Sequence, residues 1–215
     1  ALQIAFKLEK EKRNATQGER LLMKQYSGFG GLKFVLNPVE NPTDIKQWAE
    51  YDRGLFEMTR ELHRVLKENA GDEKQYKRYV DSMRGSVLSA FYTPPEIIHT
   101  LSDVLTENGI EIRNFLEPSA GVGAFVDPFA NKGIVHVTAY EKDLLTGKML
   151  EQLYPDREIR IKGFEELPES ELNHYDVVAS NIPFGTSSVF DLSYSKGKDP
   201  ARVQAARSIH NYFFL

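Results

Sequence analysis

The sequence contains no cysteine, which excludes disulfides and thiolate metal ligands and agrees with a cytoplasmic location. It has no apolar run near the roughly 20 residues that a membrane-spanning helix requires, so no membrane association is expected. The segment from Ala1 to Arg13 is charged and amphipathic, without the apolar stretch and small-residue cleavage site of a signal peptide. The five histidines, His63, His99, His136, His174 and His210, are scattered with no pair at ligand spacing, so no metal site is expected. A basic excess is missing too: 27 Lys and Arg against 31 Asp and Glu give a net charge of −4. This excludes a compact domain coated with cations, the usual footprint of strong nonspecific nucleic-acid binding. Any contact with DNA phosphates has to come from a local patch or from protein outside this chain.

What is present is enough for a packed core: 215 residues, of which 41% are hydrophobic and 27% charged. Two regions read differently. Residues 1–85 have a helical pattern. From Thr43 to Asn69 the residues Trp48, Tyr51, Leu55, Met58, Leu62 and Val65 recur at steps of three and four, which predicts one long helix with an apolar stripe. Thr43 stands as its N-cap and Gly71 as its stop. A second helix is predicted from Glu73 to Met83, burying Tyr76, Tyr79, Val80 and Met83.

Residues 86–215 alternate between strand and helix. Strands are expected at Asn114 to Glu117, Ile134 to Glu141, Glu158 to Lys162 and Tyr175 to Ser180, the last an apolar run of the kind found in buried parallel strands. Helices are expected from Gly123 to Asn131 and from Asp143 to Tyr154. The alternation predicts an α/β domain with a parallel sheet and right-handed crossovers. The segment from Thr186 to Pro200 reads as a long, polar, mobile loop.

Three segments carry chemistry. The first runs from Phe115 to Phe125, where a strand gives way to a helix. Gly121 and Gly123 permit a tight turn and close approach of a ligand to the backbone, although a plain strand-to-helix turn reads the same way. Val126 stands where a dinucleotide fingerprint has its third glycine. Glu141 follows Gly121 by twenty positions, at the end of the next strand, where a carboxylate accepts ribose hydroxyls. The pair points to an adenosine-containing cofactor, and the missing glycine favours S-adenosylmethionine over NAD. The second segment is Phe91-Tyr92-Thr93-Pro94 with Glu96. Thr93 and Glu96 fit a capping box with Pro94 at the first helical position, and the same turn is placed to close over the amino-acid end of the cofactor.

The third segment ends in Asn181-Ile182-Pro183-Phe184. It reads either as a buried strand ending in an Asn-x-Pro turn or as a site for a planar amine. In the second reading the Asn181 side-chain oxygen and the Ile182 carbonyl accept the amine hydrogens. Pro183 then fixes the turn, and Phe184 stacks on a base that has left the duplex.

Together these segments resemble the amino-methyltransferases that methylate adenine N6 in DNA. The resemblance covers roughly residues 86 to 190. It implies a Rossmann-like S-adenosylmethionine-dependent methyltransferase fold, preceded by the helical region, with strands ordered 3-2-1-4. By position, Phe91, Tyr92, Thr93 and Pro94 would contact the methionine end, and Glu117, Pro118, Ser119, Ala120, Gly121 and Gly123 would wrap the cofactor. Glu141 would hold the ribose and Phe164 or Glu165 the cofactor adenine. Asn181, Ile182, Pro183 and Phe184 would hold a flipped adenine of a DNA substrate. Ile182 replaces the family's commoner Pro, and Phe164-Glu165 replaces its acidic-aromatic pair. The segment from Gln25 to Lys33 and the terminal Ser208 to Phe214 look like parts of mobile-element proteins that join such a methylase to a helicase.

The family's sheet has seven strands, whereas four are expected here. The resemblance therefore implies a domain incomplete at its C-terminus. The open edge of its fourth strand would be covered by the remainder of a larger polypeptide, another copy or a partner. Two further readings use the same residues: methylation of another amine or amide, in RNA or on a protein glutamine, and a noncatalytic cofactor-binding or scaffold module of a DNA-processing protein.

Overall fold

A computed structural model describes residues 1–37, 42–89, 92–133, 135–183 and 188–214 of the chain. The chain begins with α1, Leu2–Glu11, which buries Leu2, Ala5, Phe6 and Leu8 along one face. Next comes α2, Gln17–Lys24, opened by a complete capping box between Thr16 and Glu19. Arg13 grips the Glu19 carboxylate with two parallel hydrogen bonds of 2.8 and 2.6 Å, which fixes the turn between the two helices.

The long helix expected over Thr43 to Asn69 is instead two 3-10 segments, Pro42–Gln47 and Glu50–Leu55, followed by α3, Phe56–Asn69. The expected stripe fails with it, since Tyr51 is 86% exposed and Met58 69% exposed. The buried face of α3 is Phe56, Thr59, His63, Val65 and Leu66. Two of these are polar, and the structure satisfies both. The Thr59 hydroxyl donates to the Leu55 carbonyl. His63 Nε2 donates to the Val35 carbonyl at 2.7 Å, and Nδ1 accepts from the Tyr76 hydroxyl at 2.7 Å. Burial pushes the His63 pKa down, which suits this neutral form.

The helix α4, Glu73–Ser89, runs six residues past the end expected from the sequence. Within the extension the buried Ser86 hydroxyl accepts the Phe29 backbone N–H at 2.9 Å. The anticipated boundary at position 85 falls inside α4. Residues on both sides of it, including Phe6, Met23 and Met83 before and Phe115, Val137 and Leu150 after, share one hydrophobic cluster.

The capping box expected at Thr93 does not form. In α5, Pro95–Glu107, the N-cap is Pro94 and the first helical residue is Pro95, so Thr93 lies one position too early. There follow β1, Asn114–Glu117; α6, Val126–Ala130; β2, His136–Tyr140; α7, Leu144–Leu153; β3, Glu158–Arg160; and β4, Val177–Val178. The four strands form one parallel sheet in the order β3-β2-β1-β4, with Phe115 opposite Val137 and Leu116 opposite Val178. This is an α/β architecture compatible with a Rossmann-like fold. Phe115 and Phe129 stack at 4.6 Å under β1, and α1, α2 and α4 pack on α7.

The fourth strand differs from expectation. It is two residues long, and Val178 is 53% exposed, so it is not a buried strand. It lies at the sheet edge, and Asp176 anchors it by accepting the Arg113 and Asn114 N–H groups at 2.9 and 2.8 Å. Within the expected loop after Phe184, the described residues include α8, Leu192–Ser195. Asp191 caps it and also accepts the Tyr212 hydroxyl at 2.6 Å. The chain continues through α9, Pro200–Ala205, and α10, Ile209–Phe213. Among the described residues no helix is long and apolar enough to cross a membrane.

Candidate functional site

In this sheet the connections run from β1 to β2 on one side and reach β4 on the other, so the chain reverses its winding at β1. At such a point the loops leaving neighbouring strands diverge and open a crevice beyond their carboxyl ends. A cavity of about 600 Å³ lies there. Its walls are Tyr92 and Thr93 before α5, Glu117, Ser119, Ala120 and Gly121 after β1, Glu141 after β2, and Asn181 and Pro183 after β4. Four segments far apart in sequence thus meet in one place.

Local geometry explains the turn after β1. Gly121 and Gly123 have φ of +57° and +80°, a region costly for residues with a Cβ. The Ala120 N–H donates to the Tyr140 carbonyl at 2.8 Å and the Gly123 N–H to the Ala120 carbonyl at 2.8 Å. The Ser180 hydroxyl donates to the Ser119 carbonyl at 3.2 Å, tying the end of β4 to the same turn. The close approach anticipated at both glycines is made by side chains. A Cβ on Gly121 would lie 2.8 Å from the Tyr92 ring, and one on Gly123 would lie 2.4 Å from the Tyr154 ring.

Glu141 already serves the protein. One carboxylate oxygen accepts the Gly121 N–H at 2.7 Å and the other the Asp143 N–H at 2.6 Å. The Lys142 backbone N–H also acts on this carboxylate, so of its roughly four acceptor positions about one stays open. Burial pushes its pKa up to about 7, against the pull of these N–H donors. Glu117 is 1% exposed, and its Oε2 has no hydrogen-bond partner among the described residues. Burial, then the charge of Glu141, holds its carboxyl well above the usual range, opposed by the Phe125 N–H.

The remaining expected residues divide. Pro118, Ile182, Phe164 and Glu165 line a second cavity of about 630 Å³. Phe164 packs there against Tyr140 and Phe213, and Glu165 pairs with Lys142. Neither of these candidates for the adenine contact lines the first cavity, whereas Ile182 stands between Asn181 and Pro183 in the chain and lines the second cavity while they line the first. Pro94 and Gly123 line neither cavity. Phe91 and Phe184 lie outside the described residues.

Sequence reasoning missed the contribution of α4, whose Arg78, Asp81 and Ser82 form one wall of the first cavity. It also missed Asp143. This residue caps α7 by accepting the Thr146 N–H at 2.6 Å, and it accepts the Ser82 hydroxyl at 2.7 Å. Burial pushes its carboxyl up as well. The signal for Asp143 was available, an acid at a helix start two residues after Glu141. No periodic signal marks the wall from α4.

No family model matches the chain, and no solved structure matches it. It is 35% identical over 102 residues to "Defense against restriction protein B" of Escherichia phage P1. The matched stretch covers 47% of this chain and 4% of that protein, so the chain spans a small part of its relative's length. The relative is named for defence against restriction. This overturns the identity expected from the motifs: the chain is not assigned to the N6-adenine DNA methyltransferases or to the methylase part of a methylase-helicase. The enzyme class and the vocabulary of DNA methylation fall with it, and a similarity to a protein of the restriction-modification context is what stands.

Proposed function

We propose that the chain is a noncatalytic module that binds S-adenosylmethionine and belongs to a protein that counters restriction. The observation that carries this reading is the cavity at the reversal point of the sheet, where the Gly121 turn and Glu141 are already joined by a hydrogen bond. The chemistry of its walls supports the ligand class. Ala124, Phe125, Leu144 and Pro183 offer apolar surface to a purine, while Glu141 presents a carboxylate to a ribose hydroxyl. Asp81, Glu117, Glu141 and Asp143 outnumber Arg78 and Lys142 in the cavity walls, an excess of acids that suits a sulfonium or ammonium better than the phosphates of NAD or ATP. The noncatalytic role is supported by the relative's name, which speaks of defence against restriction and not of methyl transfer.

Equilibrium dialysis with methyl-labelled S-adenosylmethionine tests the reading. One ligand per chain is expected, displaced by adenosine and not by NAD. The label is expected to stay in the cofactor when duplex DNA, RNA or protein is added. Displacement by NAD, or no retained label at all, would contradict the ligand class; label appearing in any of the three acceptors would contradict the noncatalytic role.

A further inference from the structure

The cavity proposed to hold S-adenosylmethionine contains a buried acidic pair whose chemistry goes beyond binding a ribose. Glu117 comes from the end of β1 and Glu141 from the end of β2, and both face the cavity. Glu141 has an N–H donor on each oxygen, an arrangement that suits its charged form. Glu117 is 1% exposed, and its Oε2 has no partner among the described residues. An isolated charge so deeply buried takes up a proton rather than stay ionised. Among the described residues the two cations that line the cavity, Arg78 and Lys142, are engaged elsewhere. Asp143 caps α7, and Tyr92 faces Glu141 from the segment before α5. On α4, Arg78 bonds to Gln75 and stands beside Asp81. Lys142 is turned to Glu165, and Tyr154 of the α7 C-cap is itself raised by burial and by the charges of Asp127 and Glu117.

We propose that the Glu117–Glu141 pair is a cation subsite that holds a proton while the cavity is empty and releases it to solvent when a positively charged group of the ligand takes its place. This rests on the reading of the cavity as an S-adenosylmethionine site. The exchange is balanced. A carboxylic acid O–H breaks, the proton passes to buffer, and the ligand's sulfonium or ammonium pairs with the carboxylate left behind. No covalent bond to the ligand forms. Burial raises both carboxyls, Glu141 to about 7, so the exchange falls in the neutral range. Below that range a cation has to expel a proton. As pH rises there is less to expel, so affinity climbs and then levels off.

Calorimetric titration of the full chain in phosphate and in Tris at one pH measures the proton directly, because the two buffers differ in heat of protonation. With S-adenosylmethionine about one proton should be released per ligand, and with neutral adenosine none. Affinity for S-adenosylmethionine should rise by up to about tenfold from pH 6 to pH 7, below the titration of the ligand's own α-amino group. Glu117→Gln should flatten that rise; if this variant does not fold, the two-buffer comparison on the unaltered chain decides. Binding of S-adenosylmethionine with a buffer-independent heat overturns the subsite and leaves the ligand reading intact. Failure of both ligands to bind removes that reading and the subsite together.

Discussion

Replacing Gly123 with alanine should destabilise the protein by about 3 kcal/mol, a large fraction of what a domain of this size has. Two effects add. The backbone sits at φ +80°, where a Cβ meets its own chain. The new methyl would also lie 2.4 Å from the Tyr154 ring and 2.9 Å from Leu150 Cδ1, both buried. Tyr154 has little freedom to withdraw, since its hydroxyl donates to the Gly123 carbonyl at 3.1 Å. Gly121→Ala is expected to be milder, because its neighbour Tyr92 is 37% exposed and has room to swing. Urea unfolding followed by circular dichroism checks this through a lower midpoint at unchanged slope. A loss under about 0.5 kcal/mol for Gly123→Ala would show that the turn is not as tightly packed as described.

Glu117→Gln should do the reverse and stabilise the ligand-free protein, increasingly so as pH rises. The folded-state pKa of Glu117 lies above its unfolded value. The stability it contributes is therefore fully present below the ordinary carboxylate range and is lost as pH rises toward the folded value. Glutamine keeps the shape without the charge. At about pH 8 the variant should exceed the parent by about 2 kcal/mol, the cost of a buried charged group with an open acceptor position. At about pH 5 the two should differ little. His63, whose pKa is lowered by burial, gains stability with rising pH, but it is common to both proteins and cancels in the difference. Equal stability of the two proteins at both pH values would mean that Glu117 finds a partner in solution.

Much of this organisation is legible in the sequence. β1 spans the residues expected of it, and the parallel pairing of four strands follows the alternation of short β-rich runs with helices, while their order comes from the resemblance alone. The Gly121 and Gly123 turn is legible because positive φ selects glycine. The stripe through Tyr51 and Met58 misleads because it assumes an apolar buried face. α3 instead buries Thr59 and His63, whose polar atoms are satisfied by the Leu55 carbonyl and by Val35 and Tyr76. The end of α4 is hidden for a similar reason: the apolar pattern stops at Met83, whereas Ser86 beyond it is held by an N–H from Phe29, 57 residues away.

At the site, the spacing of Gly121 and Glu141 shows in the sequence, but their mutual hydrogen bond does not. The wall from α4 depends on how that helix packs on α7, which no local pattern encodes. Motif order alone led to an enzyme class that the anti-restriction relative does not support.

The central claim is that the cavity between the ends of β1, β2 and β4 is an S-adenosylmethionine site. Titrating the ¹⁵N-labelled chain with S-adenosylmethionine and following its amide resonances tests that claim most directly. The Gly121 and Asp143 amides, both donating to Glu141, should shift together and saturate with the ligand, while amides on α1 stay in place. Saturable shifts confined to the second cavity, around Phe164 and Leu172, or no shifts at all, would contradict it.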